Sequence, residues 1–189
     1  MPTGAQIAAA LYGAWRLLRL DRGGLSFFEQ TPEGFYRSFY AALLVAPGYV
    51  ILITIHLAGI ESQAGSLRIL AVESIAYVIS WTAFPLLMYR IADAIGRSSS
   101  YIVFIVAFNW SKVIHMVIFL PVSVITFSGI LPTALSGLLN VTATIAILAY
   151  QWFVTRTALD IGGFAAVGLV LLDVIIGIII TAVSDGMIS

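Results

Sequence analysis

The chain has 189 residues, of which 61% are hydrophobic and only 10% charged, with a mean hydropathy of +1.06. A soluble domain of this length carries about a quarter charged residues, so the composition excludes a water-soluble globule and requires the bilayer as solvent. Nine basic and nine acidic residues cancel, and cysteine is absent. The first excludes a global field for nucleic acid or acidic substrates, and the second excludes disulfides, thiolate metal sites and a cysteine nucleophile.

The N-terminal segment lacks signal-peptide order, because Arg16 follows the apolar residues Ile7 to Trp15 instead of preceding them. Residues 5 to 20 read as an amphipathic helix. Ile7, Leu11, Trp15 and Leu18 recur at helical spacing, and Arg16, Arg19 and Arg22 follow one another at intervals of three. The segment is too charged to span a membrane. An apolar stripe with tryptophan beside arginines suits the headgroup boundary, where arginine stems snorkel. Packing on the protein's own cytoplasmic face is the alternative. Asp21-Arg22-Gly23-Gly24 breaks this helix, and Thr31-Pro32-Glu33-Gly34 reads as a second loop.

Five apolar stretches follow, over Phe39–Ile60, Ile69–Tyr89, Tyr101–Phe127, Ala134–Val154 and Ile161–Val183. Each reaches the roughly 20 residues that a helix needs to cross ~30 Å of hydrocarbon. None shows the polar–apolar alternation of barrel strands. Pro47-Gly48 marks a kink in the first.

Orientation follows from the basic residues. With the N-terminus inside, Arg16, Arg19, Arg22, Arg37, Arg90, Arg97 and Arg156 are cytoplasmic, Arg68 is outside and Lys112 lies within a span. This asymmetry satisfies the positive-inside rule. A four-span arrangement would put Arg156 or the flanks of the third span on the wrong side. The predicted fold is therefore an all-α integral membrane bundle of five transmembrane helices with an N-terminal amphipathic interfacial helix. Residues 1–34 form the cytoplasmic lead and 35–189 the membrane domain. Its predicted place is a bacterial inner membrane, with the C-terminus periplasmic.

Ionisable groups inside a span are costly and each needs a partner, a water-filled cavity or a function. Lys112 lies ~16 Å from the start of its span at 1.5 Å per residue, and Asp173 enters the fifth span to a similar depth. The matching depth predicts an ion pair. Asp173 shares a helical face with Gly162, Ala166, Gly177 and Thr181, small residues that suit close helix approach. Asn109, Lys112, His115 and Ser123 are expected to share a face of the third span. Such a core either locks helices together or serves an ion- or proton-coupled site.

A second polar group is predicted in the outer third, where His56, Glu73, His115 and Asn140 come from different helices. Two imidazoles and a carboxylate can ligate zinc, but the spread over separate helices favours a hydrogen-bonded network or interfacial placement, and no metal site is predicted. The small residues Thr142, Ala146 and Ala149 form a packing stripe on the fourth span. Gly96-Arg97-Ser98-Ser99-Ser100 lacks the lysine and preceding strand of a phosphate loop and reads as a polar connection. No HExxH, GxSxG, P-loop or GxGxxG is present, so neither an enzyme nor a cofactor is predicted.

Three features resemble the bacterial branch of the Yip1-like family: the lead helix with Trp15-Arg16-Leu17-Leu18-Arg19, the segment Phe35-Tyr36-Arg37-Ser38-Phe39, and five closely spaced spans. The resemblance implies a small polytopic membrane protein. It transfers no functional residue, and the trafficking role of the family's eukaryotic members is not carried over. Two function classes follow from the sequence. One is a non-enzymatic scaffold or accessory subunit whose partners are membrane lipids and other integral membrane proteins. The other is a small ion- or proton-coupled transporter or channel using Lys112 and Asp173.

Overall fold

The computed structural model describes residues 1–59 and 64–189, and among these residues the chain is all-α, with no strand. The elements are α1 (Gly4–Leu18), a 3-10 turn over Arg22–Phe27, α2 (Pro32–Ser38), α3 (Tyr40–Leu57), α4 (Ser66–Ala94), a short 3-10 turn over Ser98–Ser100, α5 (Tyr101–Phe127), α6 (Thr133–Leu159) and α7 (Gly163–Ile188). Five helical stretches are long and apolar enough to cross a membrane: Pro32–Leu57 (α2 with α3), α4, Ser98–Phe127 with α5, α6 and α7. The predicted end of the first stretch, Ile60, lies outside the described residues. The helices outrun the apolar stretches, as at Arg156 of α6 and Asp185 of α7. Hydropathy marks only the apolar length, whereas a helix runs on until its backbone is broken. In α6 that happens at Asp160, which is left-handed at φ 50°.

The expected loop at Thr31-Pro32-Glu33-Gly34 is instead the first turn of α2. The Thr31 hydroxyl accepts from the Gly34 N–H at 3.1 Å, and Pro32 opens the helix. A threonine cap followed by proline is a start signal, because the first helical N–H has no intrahelical partner to lose. The start of α1 is fixed in the same way by a reciprocal capping box between Thr3 and Gln6.

Helix α5 is the axis of the bundle and packs on α1, α2, α3, α4 and α6, while α7 packs on α4 and α6. One end, here the basal end, carries α1, α2 and the α4–α5 and α6–α7 connections. Arg97 and Asp160 bridge those two connections at 3.4 Å. The core sits at this end: Phe104 to Ser111 are buried without interruption, against Phe84, Met88, Val154 and Leu159. Phe84 stacks on Phe108 at 4.7 Å.

Helix α1 lies on this core. Its most buried positions are Ala10, Gly13, Ala14 and Leu17, whereas Trp15 of the expected stripe is exposed and Ile7, Leu11 and Leu18 are half-buried. The buried face is rotated toward the small residues because contact with another helix rewards close approach. A Cβ on Gly24 would lie 2.5 Å from the Gly13 carbonyl oxygen, so the turn after α1 folds back directly onto the helix. The Tyr150 hydroxyl donates to the Ala14 carbonyl at 2.9 Å and pins α1 to α6. Glu29 accepts from Gln6 of α1 and from Arg37 of α2, the latter at 3.0 Å.

Candidate functional site

At the distal end the helices part. A cavity of about 460 Å³ opens between α3, α4, α5 and α7. The ends of α3 and α7 and the start of α4 meet there because alternate helices run in opposite directions. That alternation brings His56, Glu73 and Asp185 together although they are far apart in the chain. Gly177 lines the cavity too, and a Cβ added to it would meet nothing within 4 Å. The small face of α7, expected to draw a helix close, at this level leaves space instead.

Within the cavity, the His56 Nε2 lies 3.0 Å from an Asp185 carboxylate oxygen. Glu73 is 7% exposed. The Tyr49 hydroxyl donates to one of its oxygens at 2.9 Å and the Ser184 hydroxyl donates to the other. Ser80, Ser123 and Thr181 add hydroxyls to walls that are otherwise Leu52, Ile53, Phe119 and Ile180. A second cavity of about 580 Å³ runs between α3 and α4, and Tyr49, Ile53 and Glu73 border both.

Lys112 sits below this space. Its Nζ donates to the Ser80 carbonyl at 3.2 Å and lies 4.8 Å from the Trp81 ring and 4.7 Å from the Phe108 ring. Two aromatic faces and a carbonyl stabilise an ammonium that water does not reach freely. The expected contact with Asp173 is not formed: among the described residues no ion pair joins them. Asp173 remains within electrostatic reach of Lys112 from one turn below Gly177. Equal depth on two helices does not bring side chains together when an intervening contact, here with α4, satisfies one of them.

No protein family, curated protein or solved structure matches this chain.

The other predicted core residues disperse. The Asn109 Nδ2 donates to the Ser38 Oγ of α2 at 2.9 Å. The His115 ring stands edge-on to Tyr150 of α6 at 5.4 Å, and its Nε2 is buried without a partner among the described residues. Steps of three on a helix of 100° per residue drift by ~60° each, so positions 109, 112 and 115 fan across ~120° and reach three neighbours. Of the expected outer group, only His56 and Glu73 share the cavity. Asn140 turns back on its own helix, with its Nδ2 donating to the Ser136 carbonyl at 3.0 Å. Among the described residues no group of three His, Asp or Glu side chains is placed to hold a metal ion.

Sequence reasoning missed Tyr49, Ser184 and Asp185. Antiparallel alternation was the available signal, because it puts Asp185, near the end of α7, beside His56 at the end of α3. The basic surface residues are at the basal end. Arg16 pairs with Asp21 at 2.5 Å, and the Arg19 guanidinium lies 4.8 Å from the Trp15 ring. Arg16 and the Gly23 N–H hold the Asp21 carboxyl below its ordinary value.

Proposed function

We propose that the protein is a small ion- or proton-coupled transporter or channel whose five long helices span a membrane, with the basal end cytoplasmic. The supporting observation is the distal cavity, on which His56, Glu73 and Asp185 converge above Lys112. Polar groups that serve only to lock helices close on one another and exclude water. Here they border a space, and an aromatic layer of Trp81, Phe84 and Phe108 closes it below. In this reading the cavity faces the periplasm of a bacterial inner membrane and the aromatic layer is its cytoplasmic barrier. The basic residues of the basal end meet the positive-inside rule in this orientation. The outer face of α1, with Tyr12, Trp15 and Arg19 exposed, rests at the headgroup level. Membership of the Yip1-like family is proposed on the layout of lead helix and spans alone.

The absence of cysteine makes the test direct. Single cysteines at Ser128, Thr181 and Ser98 are exposed to a membrane-impermeant thiol reagent added outside intact cells. Ser128→Cys and Thr181→Cys should label and Ser98→Cys should label only after permeabilisation. Protection of Thr181→Cys would mean a dry cavity and end the transport reading. Labelling of Ser98→Cys from outside would invert the topology.

A second reading, scaffold or accessory subunit, draws on α6. Thr142, Ala146 and Ala149 are exposed on it, and a stripe of small residues accepts a neighbouring helix. Integral membrane partners that co-purify in mild detergent support this reading.

A further inference from the structure

We infer that the ligand of the distal cavity is a monovalent organic cation with an apolar body, held by Glu73 as its countercharge. This rests on the transport reading and names its substrate class.

The buried carboxylate of Glu73 carries the inference. Both of its bonded partners, the Tyr49 and Ser184 hydroxyls, are neutral donors, so its hydrogen bonding is satisfied but its charge is not. Among the described residues no Lys, Arg or His forms an ion pair with it. The neighbouring cations are committed elsewhere, His56 to Asp185 and Lys112 to the Ser80 carbonyl and two rings. Even with both protonated, the carboxylates of Glu73, Asp185 and Asp173 outnumber them, and Arg68, at the exposed start of α4, forms no ion pair with any of the three among the described residues. The interior of the cavity is short of positive charge.

The shape of the space says what kind of cation fits. The cavity of about 460 Å³ far exceeds a bare ion, and no set of metal ligands exists among the described residues. Glu73 also borders the cavity of about 580 Å³ between α3 and α4, whose walls include Val50, Leu57, Leu70 and Val78. Polar anchor and apolar walls together are the character of a small-molecule site. The Tyr49 ring, 4.6 Å from that of Tyr77, stands beside the carboxylate and adds an aromatic face for a cation. The occupant is a free lipophilic cation: its charge sits at Glu73 and its body lies along α3 and α4.

The test is equilibrium binding of radiolabelled tetraphenylphosphonium to the full chain in micelles. Saturable binding is expected, weakened about tenfold or more in Glu73→Gln, which keeps the shape and loses the charge. It should be largely kept in Glu73→Asp and unchanged in Glu33→Gln, whose exposed side chain belongs to α2. Ile53→Trp, which fills the shared wall, should block binding with Glu73 intact, and so provides an arm that does not depend on how Glu73→Gln folds. Equal binding to wild type and Glu73→Gln overturns the inference, as does undiminished binding to Ile53→Trp. Displacement of the probe by ethanolamine lipid would make the occupant a headgroup and overturn the free-solute assignment. Labelling of Thr181→Cys in the same sample separates the two readings. A labelled cavity with charge-independent binding overturns the ligand class alone, and an unlabelled one overturns transport.

Discussion

The two ends of α5 do opposite things with similar side chains. From Phe104 to Ser111 the helix is buried and its polar side chains reach neighbours directly: the Asn109 Nδ2 donates to Ser38 of α2, and the Ser111 hydroxyl donates to the Phe108 carbonyl at 2.7 Å and lies 3.5 Å from the Gln151 amide oxygen of α6. Two to three turns further on, Phe119 and Ser123 border open space. Basal polar groups join neighbouring helices, while distal ones point into a cavity that the helices leave unfilled. Local composition does not separate the two ends, since both are apolar with scattered hydroxyls and amides. The presence of a fourth and fifth helical partner does. Helices α1 and α2 cover α5 only at the basal end.

The largest effect that tests this contrast is at Phe108. It is fully buried, stacks on Phe84 and supports Lys112. Phe108→Ala should lower stability by about 3–5 kcal/mol, the usual range for a core aromatic that leaves a cavity. Phe119→Ala, at the cavity wall, enlarges a space that already exists and should cost under about 1.5 kcal/mol. Melting in one detergent compares the pair. Equal losses would mean that the distal end is as tightly packed as the basal end.

Much of the fold is legible in the sequence because five apolar runs are strong, local signals. The facing of α1 is not, because Ala10, Gly13 and Ala14 carry little hydropathy. They are buried for their small size, which only the position of α5 makes valuable. The cavity is less legible still. Glu73 and His56 can be suspected from their depth, but Tyr49 reads as one more aromatic and Asp185 as a terminal charge. Three-residue spacing on α5 suggests one polar face, yet the helical drift sends Asn109, Lys112 and His115 to α2, α4 and α6.

A smaller effect concerns Lys112 and Asp173, where depth matching predicts a closed pair and the structure shows none. Lys112→Met keeps an unbranched chain against Trp81 and Phe108, with sulfur–aromatic contact, and loses one hydrogen bond to Ser80. It should cost about 1–2 kcal/mol. Asp173→Leu removes a carboxylate with no hydrogen-bond partner among the described residues and should be near neutral. The coupling from a double-mutant cycle should stay below about 1 kcal/mol, against ~3–5 kcal/mol for breaking one side of a closed buried pair. A coupling in that higher range would bring the two side chains into contact, as Asn109 and Ser38 are at the basal end.

The smallest effect lies at the basal surface, where Arg16 and the Gly23 N–H bind the Asp21 carboxylate. They hold its pKa below the ordinary value, so the unfolded segment takes up a proton before the folded one does. The stabilisation is therefore complete above the ordinary carboxylate value and is lost as pH falls through the lowered one. Both side chains are partly exposed, and exposed pairs contribute little. Docking of the turn against α1 rests chiefly on the contact between Gly13 and Gly24, which carries no charge. Hydrogen exchange over residues 19–27, corrected for intrinsic rates, should show slightly less protection at pH 3 than at pH 5 in the wild type. Asp21→Asn keeps an acceptor for the Gly23 N–H but has no charge to titrate, so its protection should be flat across the same interval. An equal pH slope in the variant would mean that the Asp21 carboxylate does not carry the pH dependence of this turn.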